Sequence, residues 1–321
     1  MDQERFVHPI NIKTGMSLNE LMLQFERSGA FGAGRLSEAA NILEKIASDK
    51  EALRFLGLAG ALVPAGMRKV VVDLMREDYI NAIVTTGANL THDLIEAFGG
   101  HHIRLSKTYS DIHLHRLGIN RIYDIYVRNR EFVNFEKNIQ RILGEIDPVK
   151  REKGIAVYEL IWEIGRHLTD ENSIVKNAVE KNIPVFCPAI TDSILGLQLW
   201  LFRQRKPLVV DVLKDIQKMI DMAYESKRAA VISVGGGVPK NHILQTMLIT
   251  GRGFDYAIQI TMDRPEPGGL SGASLGEAQS WGKIKSEAPW VDLIADATIV
   301  LPIIVAAVKE RLSKTEREKN D

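Results

Sequence analysis

One lysine in this chain has an unusual setting: Ser280-Trp281-Gly282-Lys283 follows the glycine-rich run Pro267-Gly268-Gly269-Leu270-Ser271-Gly272. Tryptophan offers a large apolar wall, and a lysine held against it loses hydration, which favours the neutral, nucleophilic amine. Lys283 is therefore a candidate covalent catalyst that forms an imine; the alternative is an ordinary solvated lysine. Glu277, upstream of it, is either a carboxylate that neutralises a bound cation or a solvated helical charge.

Two turns could hold a ligand. Gly235-Gly236-Gly237 follows the apolar run Ala229 to Val234 and precedes Val238-Pro239-Lys240-Asn241-His242, a helix start. Three glycines let a phosphate or a ring approach the backbone, and a helix N-terminus offers unpaired N–H donors to an anion. A tight strand-to-helix turn also needs glycine for steric reasons alone. Thr85-Thr86-Gly87-Ala88-Asn89 is a similar turn, with a helix expected from Thr91. Two such turns suggest a dinucleotide, although no Gly-x-Gly-x-x-Gly follows the first strand. Asp192 and Asp296 stand near strand ends beside small residues, where a carboxylate holds ribose hydroxyls or caps a helix. His92 and His242 follow the two turns; a lone histidine is more often structural. The pairs His101-His102 and His113-x-His115 lack metal-ligand spacing, so no metal is expected.

These residues need a frame. Short apolar runs, Ile80 to Val84, Ile183 to Phe186, Ala229 to Val234 and Tyr256 to Ile260, alternate with amphipathic stretches and end in glycine or small polar residues. That pattern gives an α/β, doubly wound, mostly parallel sheet with helices on both faces and ligands at the carboxyl ends of the strands. The N-terminal segment (about 1–50) is helical: Ser17 with Glu20 forms a capping box before Leu21, Met22 and Phe25, and the pattern resumes from Leu36 to Ile46 after a break at Gly32-Ala33-Gly34. Arg130 to Arg166 reads as a charged helical excursion, Lys309 to Asp321 as a charged helix end that frays, and residues 1–321 as a single domain.

The 321 residues are 45% hydrophobic and 26% charged, with 41 basic against 41 acidic side chains. No field of one sign points to nucleic acid or membrane. The single Cys187 excludes an intramolecular disulfide and fits a reducing cytoplasm, and the polar start Met1-Asp2-Gln3-Glu4-Arg5 is no signal peptide.

Together the segments resemble the deoxyhypusine synthase family. The matching stretches are Thr85-Thr86-Gly87-Ala88, Gly118-Ile119-Asn120-Arg121-Ile122, Asn172-Ser173-Ile174, Pro184 through Asp192, Gly235-Gly236-Gly237-Val238-Pro239-Lys240, Asp255-Tyr256-Ala257, and Ser271-Gly272-Ala273 through Glu277 to Lys283. The resemblance implies a Rossmann-like domain, a homotetramer with sites at subunit interfaces, and NAD as cofactor. It implies dehydrogenation of spermidine, capture of the butylamine fragment as a lysine imine, and transfer to a lysine of the hypusine-containing translation factor. By it, Lys283 matches the imine-forming lysine, and Trp281, Glu277 and Asn129 line the amine site. Thr86, Gly87, Ala88, Asp192, Gly235, Gly236, Gly237, Ser271, Ala295 and Asp296 match cofactor positions.

The chain also departs from the family. Lys-His-His becomes Lys240-Asn241-His242, and an asparagine takes no proton at neutral pH, so the general-base role is lost or passes to His242 or another group. Two amine-binding aspartates become Leu197 and Leu270, a cofactor-side aspartate becomes Pro267, and a serine-asparagine pair and a further serine become Gly60-Ala61 and Pro64. A buried ammonium without its carboxylate is costly. The leucines therefore leave open other outcomes: transfer to putrescine in the manner of homospermidine synthase, use of another amine such as agmatine, or a non-catalytic NAD-binding paralogue.

Overall fold

The computed structural model describes residues 6–320; the polar start Met1–Arg5 and the terminal Asp321 lie outside the described residues. In chain order, α1 (Leu18–Ser28) and α2 (Phe31–Ser48) lead into β1 (Ala52–Leu58), followed by α3 (Arg68–Arg76), β2 (Ala82–Thr85) and α4 (Gly87–Ala97). Then come α5 (Asp111–Arg116), β3 (Ile119–Ile122), β4 (Ile125–Arg128), α6 (Asn129–Glu145), α7 (Pro148–Lys153), α8 (Val157–Gly165), α9 (Ile174–Glu180), β5 (Val185–Phe186), α10 (Ile194–Arg203) and α11 (Leu213–Glu225). The chain closes with β6 (Arg228–Val234), α12 (Gly237–Thr250), β7 (Tyr256–Thr261), α13 (Leu275–Ser280), β8 (Trp290–Ile294) and α14 (Ala297–Asn320).

Among the described residues one six-stranded sheet has the order β5-β2-β1-β6-β7-β8, and β3 with β4 forms a separate antiparallel hairpin. The pairs β2–β5, β6–β7 and β7–β8 are parallel, with Ile83 opposite Val185, Ile232 opposite Ile258 and Ile258 opposite Val291. Every residue of β1 is buried, and β6 is buried from Ala229 to Val234. Strands apolar along both faces need helices on both, which is the α/β layering the sequence predicts. Four predicted runs appear as β2, β5, β6 and β7.

The chain packs as two compact units, one from Met1–Gly57, Asp78–Ile80 and Met222–Asp321, the other from Leu58–Glu77 and Asn81–Asp221. In the first, α2 packs on α1, α14, β7 and β8, while α12 packs on β6, and α13 on β7 and β8. The capping box forms as predicted: Ser17 Oγ accepts from Glu20 N at 3.2 Å and Glu20 Oε2 accepts from Ser17 N at 2.7 Å. The break between the first two helices does not lie at Gly32-Ala33-Gly34. It lies at Gly29, which ends α1 with φ 61°. Gly34 sits inside α2, where a Cβ would stand 2.5 Å from the Gly29 carbonyl carbon, so this glycine permits a close approach and marks no turn.

In the second unit the charged stretch 130–166 is helical, as α6, α7 and α8. The buried Asp93 receives Arg68 Nε at 2.5 Å and the backbone N–H groups of Ile174 and Val175 at 3.0 Å each, so one carboxylate ties α3 and α4 to the start of α9. Asp215 plays a similar part for α8: its Oδ1 accepts from Tyr158 N at 3.3 Å. Its Oδ2 is buried without a hydrogen-bond partner. Burial pushes this carboxyl up to about 7, against the pull of the Tyr158 and Val157 N–H groups. Cys187 is buried, and burial raises its thiol to about 12.

Candidate active site

In the first unit a loop leaves β7, and its residues from Met262 to Leu270 are exposed; Leu270 is 50% exposed. Ser274 then caps α13, its Oγ accepting from Glu277 N at 3.0 Å. Trp281 ends the helix, and Gly282, with φ 69°, turns the chain so that Lys283 N donates to Ala278 O at 3.0 Å. The Lys283 ammonium stands 5.3 Å from the centroid of the Trp281 ring, the pairing expected from the sequence. The shielding is one-sided, because Trp281 is itself 62% exposed. Lys283 O accepts from Phe254 N at 2.9 Å, which places this backbone beside the amino end of β7.

Behind α13 lies a buried polar group that motif reading missed. Lys240 Nζ donates to Gln259 Oε1 at 2.8 Å and to Ala273 O at 2.7 Å. Asp292 accepts from Leu275 N through both oxygens, at 3.2 and 3.1 Å. Burial raises the Asp292 carboxyl, opposed by the Leu275 N–H and the Lys240 and Arg35 charges. Gln259 and Asp292 interrupt otherwise apolar strands, and a polar residue inside such a run was the available signal.

The triple-glycine turn lies at the carboxyl end of β6, where Gly235 N donates to Ile260 O at 2.8 Å. Gly235 and Gly237 have φ of 76° and 61°, which favour glycine. A Cβ on Gly236 would collide with Ser271, 2.7 Å from its carbonyl oxygen, so Ser271 is brought against the turn. No side chain caps α12, which leaves the N–H groups of its first turn for an anion. Asn241 and His242 are half-buried on the same helix. His242 Nε2 is buried without a hydrogen-bond partner, and burial pushes the imidazole pKa down, which keeps it neutral at pH 7. Ala295 and Asp296 follow β8. Asp296 Oδ1 accepts from Thr298 N and Oγ1, both at 2.8 Å, so the capping alternative describes one of its oxygens. The glycine turn, Ser271, Ala295 and Asp296 gather at the carboxyl ends of β6, β7 and β8. The Lys283 backbone lies at the opposite end of β7, so one copy of the chain does not bring the lysine's backbone to the glycine turn.

In the second unit, Thr86 Oγ1 caps α4 through Asn89 N at 3.4 Å, and Ala88 is exposed on its first turn. A Cβ on Gly87 would collide with the Ser193 side chain, so glycine permits that approach. Ser193 caps α10, accepting from Gly196 N at 2.9 Å; Asp192 therefore is not the cap, and its carboxylate is exposed. Leu197 is 58% exposed on α10. Asn129, also exposed, opens α6: its N donates to Gly118 O at 2.8 Å, and its Oδ1 accepts from Asn120 Nδ2 at 2.7 Å. Asn120 thus orients Asn129, a contact the hairpin supplies. His92 is not isolated, since His102 links it at 2.8 Å to a chain ending on Glu96, and burial lowers its pKa to about 4.

Among the described residues no group of three or more His, Cys, Asp or Glu side chains is arranged to hold a metal ion, and no helix is long and apolar enough to cross a membrane. The arrangement is that of a doubly wound α/β protein with a glycine turn leading into an uncapped helix start and a separate tryptophan-flanked lysine. A family model for deoxyhypusine synthase matches residues 20–308. The chain is 47% identical over 303 residues to "Probable deoxyhypusine synthase 1" of Methanosarcina mazei, covering 94% of each chain. It is 43% identical over 306 residues to "Probable deoxyhypusine synthase" of Methanothermobacter thermautotrophicus, covering 95% of this chain and 98% of that one. Its fold is similar to a crystal structure assigned to deoxyhypusine synthase from Entamoeba histolytica, with a TM-score of 0.64 at 19% identity over 91% of this chain and 93% of that one. The chain belongs to the deoxyhypusine synthase family and is a transferase; the family's reaction is aminobutyl transfer from spermidine.

Proposed function

We propose that the protein is an NAD-dependent aminobutyl transferase that works through an imine on Lys283 and passes the butylamine group from spermidine to a lysine of the hypusine-containing translation factor. The observation that carries this reading is the Lys283 ammonium over the Trp281 ring at 5.3 Å, one turn beyond Glu277 on α13. The glycine turn fits NAD. The uncapped start of α12 offers N–H donors to a diphosphate, and Asp296 Oδ2 offers a carboxylate oxygen to a ribose hydroxyl; Asp192 takes a cofactor role by the family resemblance alone. Ser271, Ala295, Thr86, Gly87 and Ala88 take cofactor roles by the family resemblance. When bound, NAD supplies the hydride acceptor and later the hydride donor. Lys283 Nζ adds to the oxidised carbon of spermidine, the secondary amine leaves as 1,3-diaminopropane, and the butylamine fragment stays on the lysine as an imine. Amine exchange with the acceptor lysine then frees Lys283. Glu277 stands to hold the distal ammonium, and His242, neutral at pH 7, is the group beside Asn241 able to take a proton; Asn129 takes an amine-site role by the family resemblance alone.

The same reading includes a cytoplasmic homotetramer with sites completed between copies. The placement of the Lys283 backbone and of Gly235–Gly237 at opposite ends of β7 supports it, because a site that needs both has to draw one of them from another copy. The test is borohydride trapping with labelled spermidine and NAD, with the translation factor or putrescine as acceptor. The label is expected on Lys283, absent in Lys283→Ala, and released to the translation factor. A wild-type protein that carries no label on Lys283 refutes the imine. Leu197 and Leu270, standing where the family resemblance implies amine-binding aspartates, favour a second reading in which the donor is another amine such as agmatine. NADH formation across an amine panel separates the two, and strict preference for spermidine rejects the second.

A further inference from the structure

Lys240 precedes the altered Asn241, yet its side chain turns inward and is 3% exposed. Its Nζ reaches the Ala273 carbonyl at 2.7 Å and Gln259 Oε1 at 2.8 Å. Gln259 is 1% exposed, and its Nε2 donates to the same Ala273 carbonyl at 3.1 Å. Asp292 takes the Leu275 N–H from the other side of Ser274. Side chains from α12, β7 and β8 therefore hold the two peptide groups at the entry to α13. Ser271 lies just before this clamp; Glu277, Trp281 and Lys283 lie just after it. A neutral donor would satisfy the carbonyl without the desolvation cost of an ammonium. Burial lowers the Lys240 pKa to about 8, with Asp292, Glu277 and Asp263 opposing the shift and Lys283 adding to it. The cation therefore lies within the field of both Glu277 and Lys283.

We infer that Lys240 is a positioning residue: with Gln259 and Asp292 it locks the turn Ala273–Leu275 and so sets where α13 presents Glu277 and where the turn after α13 presents Lys283. This rests on the lysine-imine reading for its catalytic consequence but not for its structural one. The test compares full-length wild type, Lys240→Met and Gln259→Met by amide hydrogen exchange over 274–283 and by borohydride trapping against pH. Lys240→Met is expected to fold, to exchange faster in that segment alone, and to trap about 100-fold more slowly, the size of effect a misplaced reacting group produces. Its pH–trapping profile is expected to lose the component with a midpoint near pH 8, where the Lys240 ammonium gives up its proton. Gln259→Met removes the other donor to the Ala273 carbonyl and is expected to loosen the same segment while keeping that component. A Lys240→Met protein with wild-type exchange, trapping rate and pH profile overturns the inference. A wild type that traps nothing counts against the imine reading, and the exchange comparison then decides the clamp on its own.

Discussion

Replacing Asp215 by asparagine is expected to make the protein more stable above neutral pH and to flatten its stability–pH profile. The carboxyl is 2% exposed, shares one oxygen with Tyr158 N, and leaves the other buried without a hydrogen-bond partner. Its pKa rises from 3.8 to about 7 on folding, chiefly through burial. The folded state therefore holds this proton across a window in which the unfolded chain releases it. Stability that the group contributes is full below about pH 4 and is lost as the pH climbs through about 7. At ~1.36 kcal/mol per pKa unit, a shift of about three units corresponds to a ceiling of roughly 4 kcal/mol between the two ends of the window. Asparagine keeps an acceptor for Tyr158 N and does not ionise, but its amide N–H group enters the unpaired position at a cost of about 1–3 kcal/mol. The variant should thus match or fall slightly below wild type at pH 5 and exceed it by about 1–3 kcal/mol at pH 8. Urea midpoints of both proteins from pH 5 to 8.5 give the difference directly, because every other titrating group cancels. Parallel curves for the two proteins would refute the assignment.

Two further substitutions probe close approaches. Gly236→Ala places a Cβ 2.7 Å from the Ser271 carbonyl oxygen and must push that loop away from the turn. NAD affinity by calorimetry is expected to fall about tenfold or more, as for a displaced site group, and unchanged affinity in a folded variant would remove Gly236 from the cofactor site. Gly34→Ala drives a methyl against the Gly29 carbonyl and should cost about 1–3 kcal/mol in a denaturant titration, with no effect on NAD binding.

Much of the frame was legible because its signals are local. The Ser17–Glu20 box, the runs that became β2, β6 and β7, and the glycine turn depend on residues within a few positions of one another. The Trp281–Lys283 pairing was legible for the same reason, since Gly282 folds the chain back after one short helix. Gly34 was misread because a glycine that permits two helices to approach looks, in sequence, like a glycine that breaks one. Asp192 and Asp296 illustrate the limit of local chemistry. Both sit at strand ends in like company, yet Ser193 takes the cap beside one while Asp296 is itself the cap.

The sequence by itself determined which groups are available: a lysine beside a tryptophan, glycine turns after apolar strands, an asparagine and a histidine after Val238-Pro239-Lys240, and leucines at Leu197 and Leu270. Only the tertiary structure decided where they stand. It turned Lys240 inward onto Gln259 and Ala273, set Asp292 behind α13, and placed the Lys283 backbone at the end of β7 opposite the glycine turn. The physical reason is that helix and strand periodicity records which face of an element is buried. It does not record which distant element covers that face, or at which end of a shared strand two loops emerge.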